Sequence, residues 1–139
     1  MISYLTDMDG VLHREGDVIP GAKDFIEALH REDLDFMVLT NNSVQTPRDL
    51  SAKLQRMGLD IEPERIWTSA TATAKFLSQQ AGEASAYVIG EAGLTTALHE
   101  IGWILTDTDP DFVVLGETRT YSFEALTTAS NLIRNGSRF

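Results

Sequence analysis

The 139 residues carry 11 Lys and Arg against 21 Asp and Glu, a formal net charge of −10, with 42% hydrophobic residues, 23% charged residues and no cysteine. That composition is enough for a buried core and argues against a disordered chain, a disulfide framework, a thiol nucleophile or a thiolate metal site. The acidic balance disfavours a nucleic-acid backbone binder. No apolar run approaches the roughly 20 residues that span a bilayer, and the N-terminus lacks the basic region of a signal peptide. No nucleic-acid or membrane partner is therefore expected, and the cytoplasm is the expected location.

In chain order, residues 2–6 read as a short apolar strand that stops at the acidic loop Asp7-Met8-Asp9-Gly10. Pro20 suits the first position of a helix, where its missing N–H would be unpaired anyway. Ala22, Phe25, Ile26 and Leu29 follow at spacings that line one helix face. Residues 36–39 form a continuous apolar run, as in a strand buried on both faces, and end in Thr40-Asn41-Asn42-Ser43. Thr46-Pro47-Arg48-Asp49 is a helix start, with Thr46 as cap and an acid in the first turn. Leu50, Leu54 and Met57 give that helix its apolar stripe, and Gly58 suits its C-terminal cap. Ile66–Thr68 reads as a third strand, followed by an Ala-rich helix over 70–80.

Gly82-Glu83-Ala84-Ser85 reads as a joint, which divides the chain into 1–82 and 83–139. After it come a strand at 86–89, the loop Gly90-Glu91-Ala92-Gly93, a helix over 94–101 and a short strand at 103–105. The strand Phe112–Leu115, a helix over 122–134 closed by Asn135-Gly136, and the entry to one more strand at 137–139 complete the pattern. This β-α alternation predicts an α/β fold with parallel sheets flanked by helices.

In open parallel α/β sheets, ligands bind beyond the carboxyl ends of the strands. Two polar clusters lie at such ends: Asp7-Met8-Asp9-Gly10 and Thr40-Asn41-Asn42. If their strands are neighbours, both clusters face one crevice. Two carboxylates at i and i+2 share a face and can hold a hard divalent cation such as Mg²⁺. They can also divide labour, one as nucleophile and one as general acid/base. The hydroxyl and amides of the second cluster suit an oxyanion. An EF-hand is excluded because Gly10 follows Asp9 directly, later ligand acids are missing and a strand precedes the loop.

The stretch Asp7-Met8-Asp9-Gly10-Val11-Leu12 resembles the first motif of the haloacid dehalogenase-like (HAD) phosphatase superfamily, and Leu39-Thr40-Asn41-Asn42-Ser43 resembles the second motif in the form used by its NagD-like (HAD-IIA) branch. Pro20-Gly21-Ala22, Gln45-Thr46, Thr68-Ser69-Ala70, Tyr87-Val88-Ile89-Gly90-Glu91 and the run from Pro110 to Arg119 extend the resemblance along essentially the whole chain. It implies a Rossmann-like parallel-sheet core with an inserted α/β cap, each present only in its first part. It implies Mg²⁺-dependent hydrolysis of small phosphomonoesters, nucleoside monophosphates or sugar phosphates, through an aspartyl phosphate. Asp7 matches the nucleophile and Asp9 the general acid/base, both on the metal; Asp9, Thr40 and Asn41 match phosphate-site residues. Asn42 is given no firm role. The resemblance allows a homo-oligomer through the cap.

The family's Lys motif and late acidic cluster have no match here. Lys23, Lys53 and Lys75 precede the expected cap, and Asp107, Asp109 and Asp111 read as a solvated turn around Pro110. A non-catalytic fragment of such an enzyme is therefore the alternative reading. His13, His30 and His99 are isolated, show no metal-ligand spacing and are expected at the surface or in packing. Gly90–Gly93 lacks the spacing and Lys of a P-loop, and Glu117-Thr118-Arg119 is expected to shape a cap loop near the substrate entrance.

Overall fold

The computed structural model describes residues 3–139, which divide into two compact units. The first holds the chain up to Asn41 together with Pro47–Thr68; the second holds Asn42–Thr46 and Ser69–Phe139.

In the first unit, β1 (Ser3–Asp7), β4 (Asp35–Thr40) and β5 (Ile66–Thr68) form a parallel sheet in the order β1-β4-β5. The register pairs Asp7 with Leu39 and Thr40 with Thr68. The two polar clusters therefore do follow neighbouring strands. Ile2, the expected first strand residue, lies outside the described residues. Between β1 and β4 the chain makes a hairpin, β2 (His13–Arg14) with β3 (Asp17–Val18), that the sequence reading did not contain. Its two-residue turn places both Glu15 (φ 52°) and Gly16 (φ 99°) in the left-handed region. That conformation suits the twist of a tight hairpin, but Glu-Gly advertises it far less than Asn-Gly.

α1 (Ala22–Arg31) buries Ala22, Ile26 and Leu29, whereas Phe25 is partly exposed and sets its ring edge-on to Tyr4. Pro20 is not the first helical residue: Gly21 follows it with φ 87° and starts the helix only at Ala22. α2 (Pro47–Arg56) buries Leu50 and Leu54 completely. Gly58 (φ 85°) ends it, with the Leu59 N–H reaching back to the Leu54 carbonyl at 3.0 Å, the six-to-one bond of a Schellman cap. Met57 lies just past the helix.

Both helices pack on one sheet face, where Met8, Phe36, Val38 and Ile66 join them in a single core with Leu59 and Ile61. Within these residues β4 is covered on that face alone. On its other face Met37 is only partly buried and Leu39 is 36% exposed, beside Leu5 at 71% and Trp67 at 37%. A run of apolar residues cannot distinguish one covered face from two.

In the second unit, β6 (Ser85–Ile89) is the central strand of a parallel sheet, between β7 (Ile104–Leu105) and β8 (Phe112–Leu115). α3 (Ser69–Gln80) belongs to this unit, although the sequence reading closed the first domain at residue 82. Its small buried face, Ala70, Ala74 and Leu77, packs with Ala86, Leu94, Leu98 and Phe112. Trp103 is buried against Phe112, with ring centroids 4.9 Å apart, and its indole N–H reaches the Gly82 carbonyl at 3.3 Å.

α4 (Ala92–Glu100) starts earlier than expected because the Glu91 carbonyl already accepts from Leu94 and Thr95. α5 (Phe123–Arg134) is capped by the Ser122 hydroxyl, which accepts from the Ala125 N–H at 3.0 Å. Beyond it, Arg138 bridges Phe112 in parallel, exchanging backbone bonds with Asp111 and Val113. This is the expected entry to a further strand.

Asp111 does more than solvate a turn. One carboxylate oxygen accepts from both the backbone N–H and the hydroxyl of Ser85, each at 2.8 Å. These bonds, the backbone one first, hold its pKa below the ordinary value of 3.8. Because the folded-state value lies below the unfolded one, the stabilisation is present above the unfolded value and is lost as pH falls through the folded one. Ser85→Ala is expected to move the Asp111 pKa upward in an NMR pH titration, and unchanged titration would refute the assignment.

Candidate active site

The site begins where β1 runs out. Met8 is only 1% exposed and anchors in the core, so the alternation of side chains directs Asp7 and Asp9 together to the solvent side. The Met8 N–H is shared between the Leu39 carbonyl at 3.1 Å and Asp7 Oδ1 at 2.8 Å, which ties the Asp7 carboxylate to its own strand end. Gly10 then turns the chain with φ 81°. Nothing stands within 4 Å of where a Cβ would be, so the dihedral angle, and not crowding, calls for glycine there. The turn is closed by the Leu12 N–H on the Met8 carbonyl at 3.0 Å and the Gly10 N–H on the His13 carbonyl at 2.8 Å. Leu12, also 1% exposed, anchors its far side. Two buried apolar residues thus pin a loop whose polar members face outward.

β4 delivers the second cluster. Thr40, buried at 7%, is the last residue of the strand, one position past the residue paired with Asp7. Its hydroxyl donates to Asp9 Oδ2 at 3.3 Å. The structure therefore joins Asp9 and Thr40, two of the residues singled out from sequence, and places Asp7 two residues from Asp9. Asn41 follows, exposed, at the end of the first unit's N-terminal segment. Asn42 has a local task in the second unit: its Oδ1 accepts from the N–H groups of Val44 at 2.9 Å and Gln45 at 2.8 Å, which holds a turn.

His13, expected at the surface or in packing, is buried at 3% exposure, with Nε2 3.6 Å from Asp9 Oδ1. Only the hairpin explains this placement: the Gly10 turn returns the chain so that His13 bridges Asp9.

The donors available to a cation are oxygens of Asp7 and Asp9, the chemistry preferred by Mg²⁺. They fit in kind but fall short of six ligands. No group of three His, Asp or Glu suited to a metal occurs among the described residues.

In the second unit, Gly90–Gly93 does not act as a phosphate loop. The Gly93 N–H donates to the Val44 carbonyl at 2.9 Å, and a Cβ on Gly93 would lie 2.6 Å from the carbonyl oxygens of Ser43 and Gln45. Glycine here permits residues 42–46 to lie directly on the start of α4. Thr118 is buried, donates to Glu91 Oε1 at 2.5 Å, and with Glu117 and Arg119 lines a cavity of about 320 Å³.

Asp7-Met8-Asp9-Gly10 and Thr40-Asn41 thus stand at the carboxyl ends of neighbouring parallel strands, with the threonine hydroxyl on the second aspartate. The chain belongs to the haloacid dehalogenase-like hydrolases, whose family model matches residues 4–104. It is 70% identical over 99% of its length to the dihydroxyacetone phosphatase of Corynebacterium glutamicum (strain R), of which it covers 50%. It is 39% identical over 99% of its length to the ribonucleotide monophosphatase NagD of Escherichia coli (strain K12), covering 54% of that protein. The solved NagD structure superposes with a TM-score of 0.91 over 99% of this chain and 54% of that one. The hypothetical protein PH1952 of Pyrococcus horikoshii OT3, at 34% identity, gives 0.95 over the whole of this chain and 57% of its own. The chain thus spans about half the length of the relatives it matches. Among the described residues, no helix is long and apolar enough to cross a membrane.

Proposed function

We propose that the protein carrying this chain is a Mg²⁺-dependent phosphomonoester hydrolase that works through an aspartyl phosphate on Asp7. The observation that carries this reading is the pair of exposed carboxylates on one side of the β1 end, with Thr40 seated on the second of them. In the first step Asp7 attacks phosphorus and the P–O bond to the leaving group breaks, while Asp9 gives its proton to the leaving oxygen. In the second, a water attacks phosphorus, Asp9 takes that water's proton, and the bond to Asp7 breaks to release phosphate and restore both residues. Thr40 orients Asp9 through its hydroxyl, and Asn41 supplies an amide at the strand end beside the phosphate.

Asp7 and Asp9 would hold the metal. When bound, it supplies positive charge that offsets the repulsion between two carboxylates and a phosphate dianion. A chain of net charge −10 needs that local reversal.

The substrate class is small phosphorylated metabolites. The 70% identity to a dihydroxyacetone phosphatase favours a short polyol or sugar phosphate over a nucleotide. The expected result is Mg²⁺-dependent release of phosphate from dihydroxyacetone phosphate, abolished by EDTA and restored by Mg²⁺. Equal turnover with EDTA would refute the metal assignment.

A second reading, a chain that binds without turning over, is favoured by the donor count: among the described residues no third acid or histidine joins Asp7 and Asp9 in a group suited to a metal. On that ground the 139 residues expressed alone are expected to hydrolyse 4-nitrophenyl phosphate barely above background.

A further inference from the structure

We infer that His13 is a positioning residue, one that fixes the Asp9 carboxylate for proton transfer. Its ring is 3% exposed, and neither Nδ1 nor Nε2 has a hydrogen-bond partner. A buried ring nitrogen without a partner is costly and rare in folded proteins. Asp9 Oδ1 stands 3.6 Å from Nε2, on a side chain that is 55% exposed and free to approach. A movement below 1 Å brings that pair to ordinary hydrogen-bond length.

The ring cannot make this movement easily, because its backbone is tied on both sides. His13 pairs with Val18 across the hairpin, and its carbonyl receives the Gly10 N–H at 2.8 Å. The buried imidazole is the fixed partner and the exposed carboxylate the mobile one. With Thr40 on Oδ2 and His13 on Oδ1, the Asp9 carboxylate is gripped at both oxygens and its plane is set. An Nε2–H donor is required, whichever charge the ring carries. Its burial keeps His13 from touching substrate, so it acts only through Asp9.

This inference rests on Asp9 as the general acid. It therefore predicts an effect that depends on the leaving group. An alkyl phosphate such as dihydroxyacetone phosphate needs a proton on its departing oxygen; 4-nitrophenolate leaves without one. His13→Met, close in volume but without the donor, is expected to lower kcat for dihydroxyacetone phosphate about tenfold with KM unchanged, and to spare the first burst of nitrophenolate from 4-nitrophenyl phosphate while slowing the turnover that follows, where Asp9 must take the water's proton. His13→Gln, which offers an amide N–H near the position of Nε2, is expected to recover most of the loss.

A second measurement does not need turnover. In ¹⁵N spectra of the histidine rings, Asp9→Asn is expected to shift Nε2 of His13 much more than Nδ1. An unmoved Nε2 signal overturns the inference. So does a His13→Met variant that slows the burst of nitrophenolate as much as it slows dihydroxyacetone phosphate turnover, or that slows neither, or a His13→Gln variant as impaired as His13→Met. If the wild-type protein hydrolyses neither substrate while the Nε2 signal responds to Asp9→Asn, the contact stands and the proposed activity is what fails.

Discussion

Asp7→Asn is expected to lower kcat for every phosphomonoester by roughly 10⁴-fold or more, the scale on which removing an enzymatic nucleophile acts. The amide is isosteric, and the N–H of Met8 that meets Asp7 Oδ1 at 2.8 Å can still reach the amide oxygen. Asp7 is exposed and contributes nothing to the core around Met8 and Leu12, so folding is expected to be intact. The measurement is phosphate release from dihydroxyacetone phosphate and from 4-nitrophenyl phosphate under identical Mg²⁺, with circular dichroism as the check on the fold. A variant retaining more than a few per cent of the activity would remove Asp7 from the nucleophilic role.

Asp9→Asn is expected to act differently, because it leaves the nucleophile in place. Loss of a general acid/base lowers kcat by roughly 10²- to 10⁴-fold. With dihydroxyacetone phosphate both steps suffer, since the leaving oxygen must be protonated and the attacking water deprotonated. With 4-nitrophenyl phosphate the first step needs no proton, so the enzyme is expected to release up to one equivalent of nitrophenolate and then stall as phosphoenzyme. Stopped-flow absorbance separates these phases. A steady slow rate without a burst, equal for both substrates, would mean that Asp9 has no acid/base role. The Thr40 hydroxyl on Asp9 Oδ2 implies a weaker copy of the same pattern when Thr40 becomes Val.

Legibility differed between parts of the chain for physical reasons. The turn carrying Asp7 and Asp9 could be read because two acids and a glycine after an apolar run leave few other arrangements, and the observed φ of 81° at Gly10 is the one that glycine supplies. The neighbouring end at Thr40 could be read because an apolar run cannot continue through Thr-Asn-Asn. The distance from His13 to Asp9 was not legible, since it is set by the Gly10 turn, which returns the chain until the His13 carbonyl meets the Gly10 N–H. That α3 packs within the second compact unit was not legible because it advertises only small residues on its buried side. Alanine at that spacing specifies close packing without naming the partner.

The central claim is a covalent phosphoryl group on Asp7. It is tested most directly by quenching the protein in acid during turnover of ³²P-labelled substrate, reducing the acyl phosphate with borohydride and locating the modified residue by peptide mass spectrometry. The account predicts that ³²P is bound before reduction and is released by mild alkali, that homoserine appears at position 7 after it, and that neither is found in Asp7→Asn. Turnover without any trapped phosphoenzyme in the Asp9→Asn background, or label on a residue other than Asp7, would contradict it.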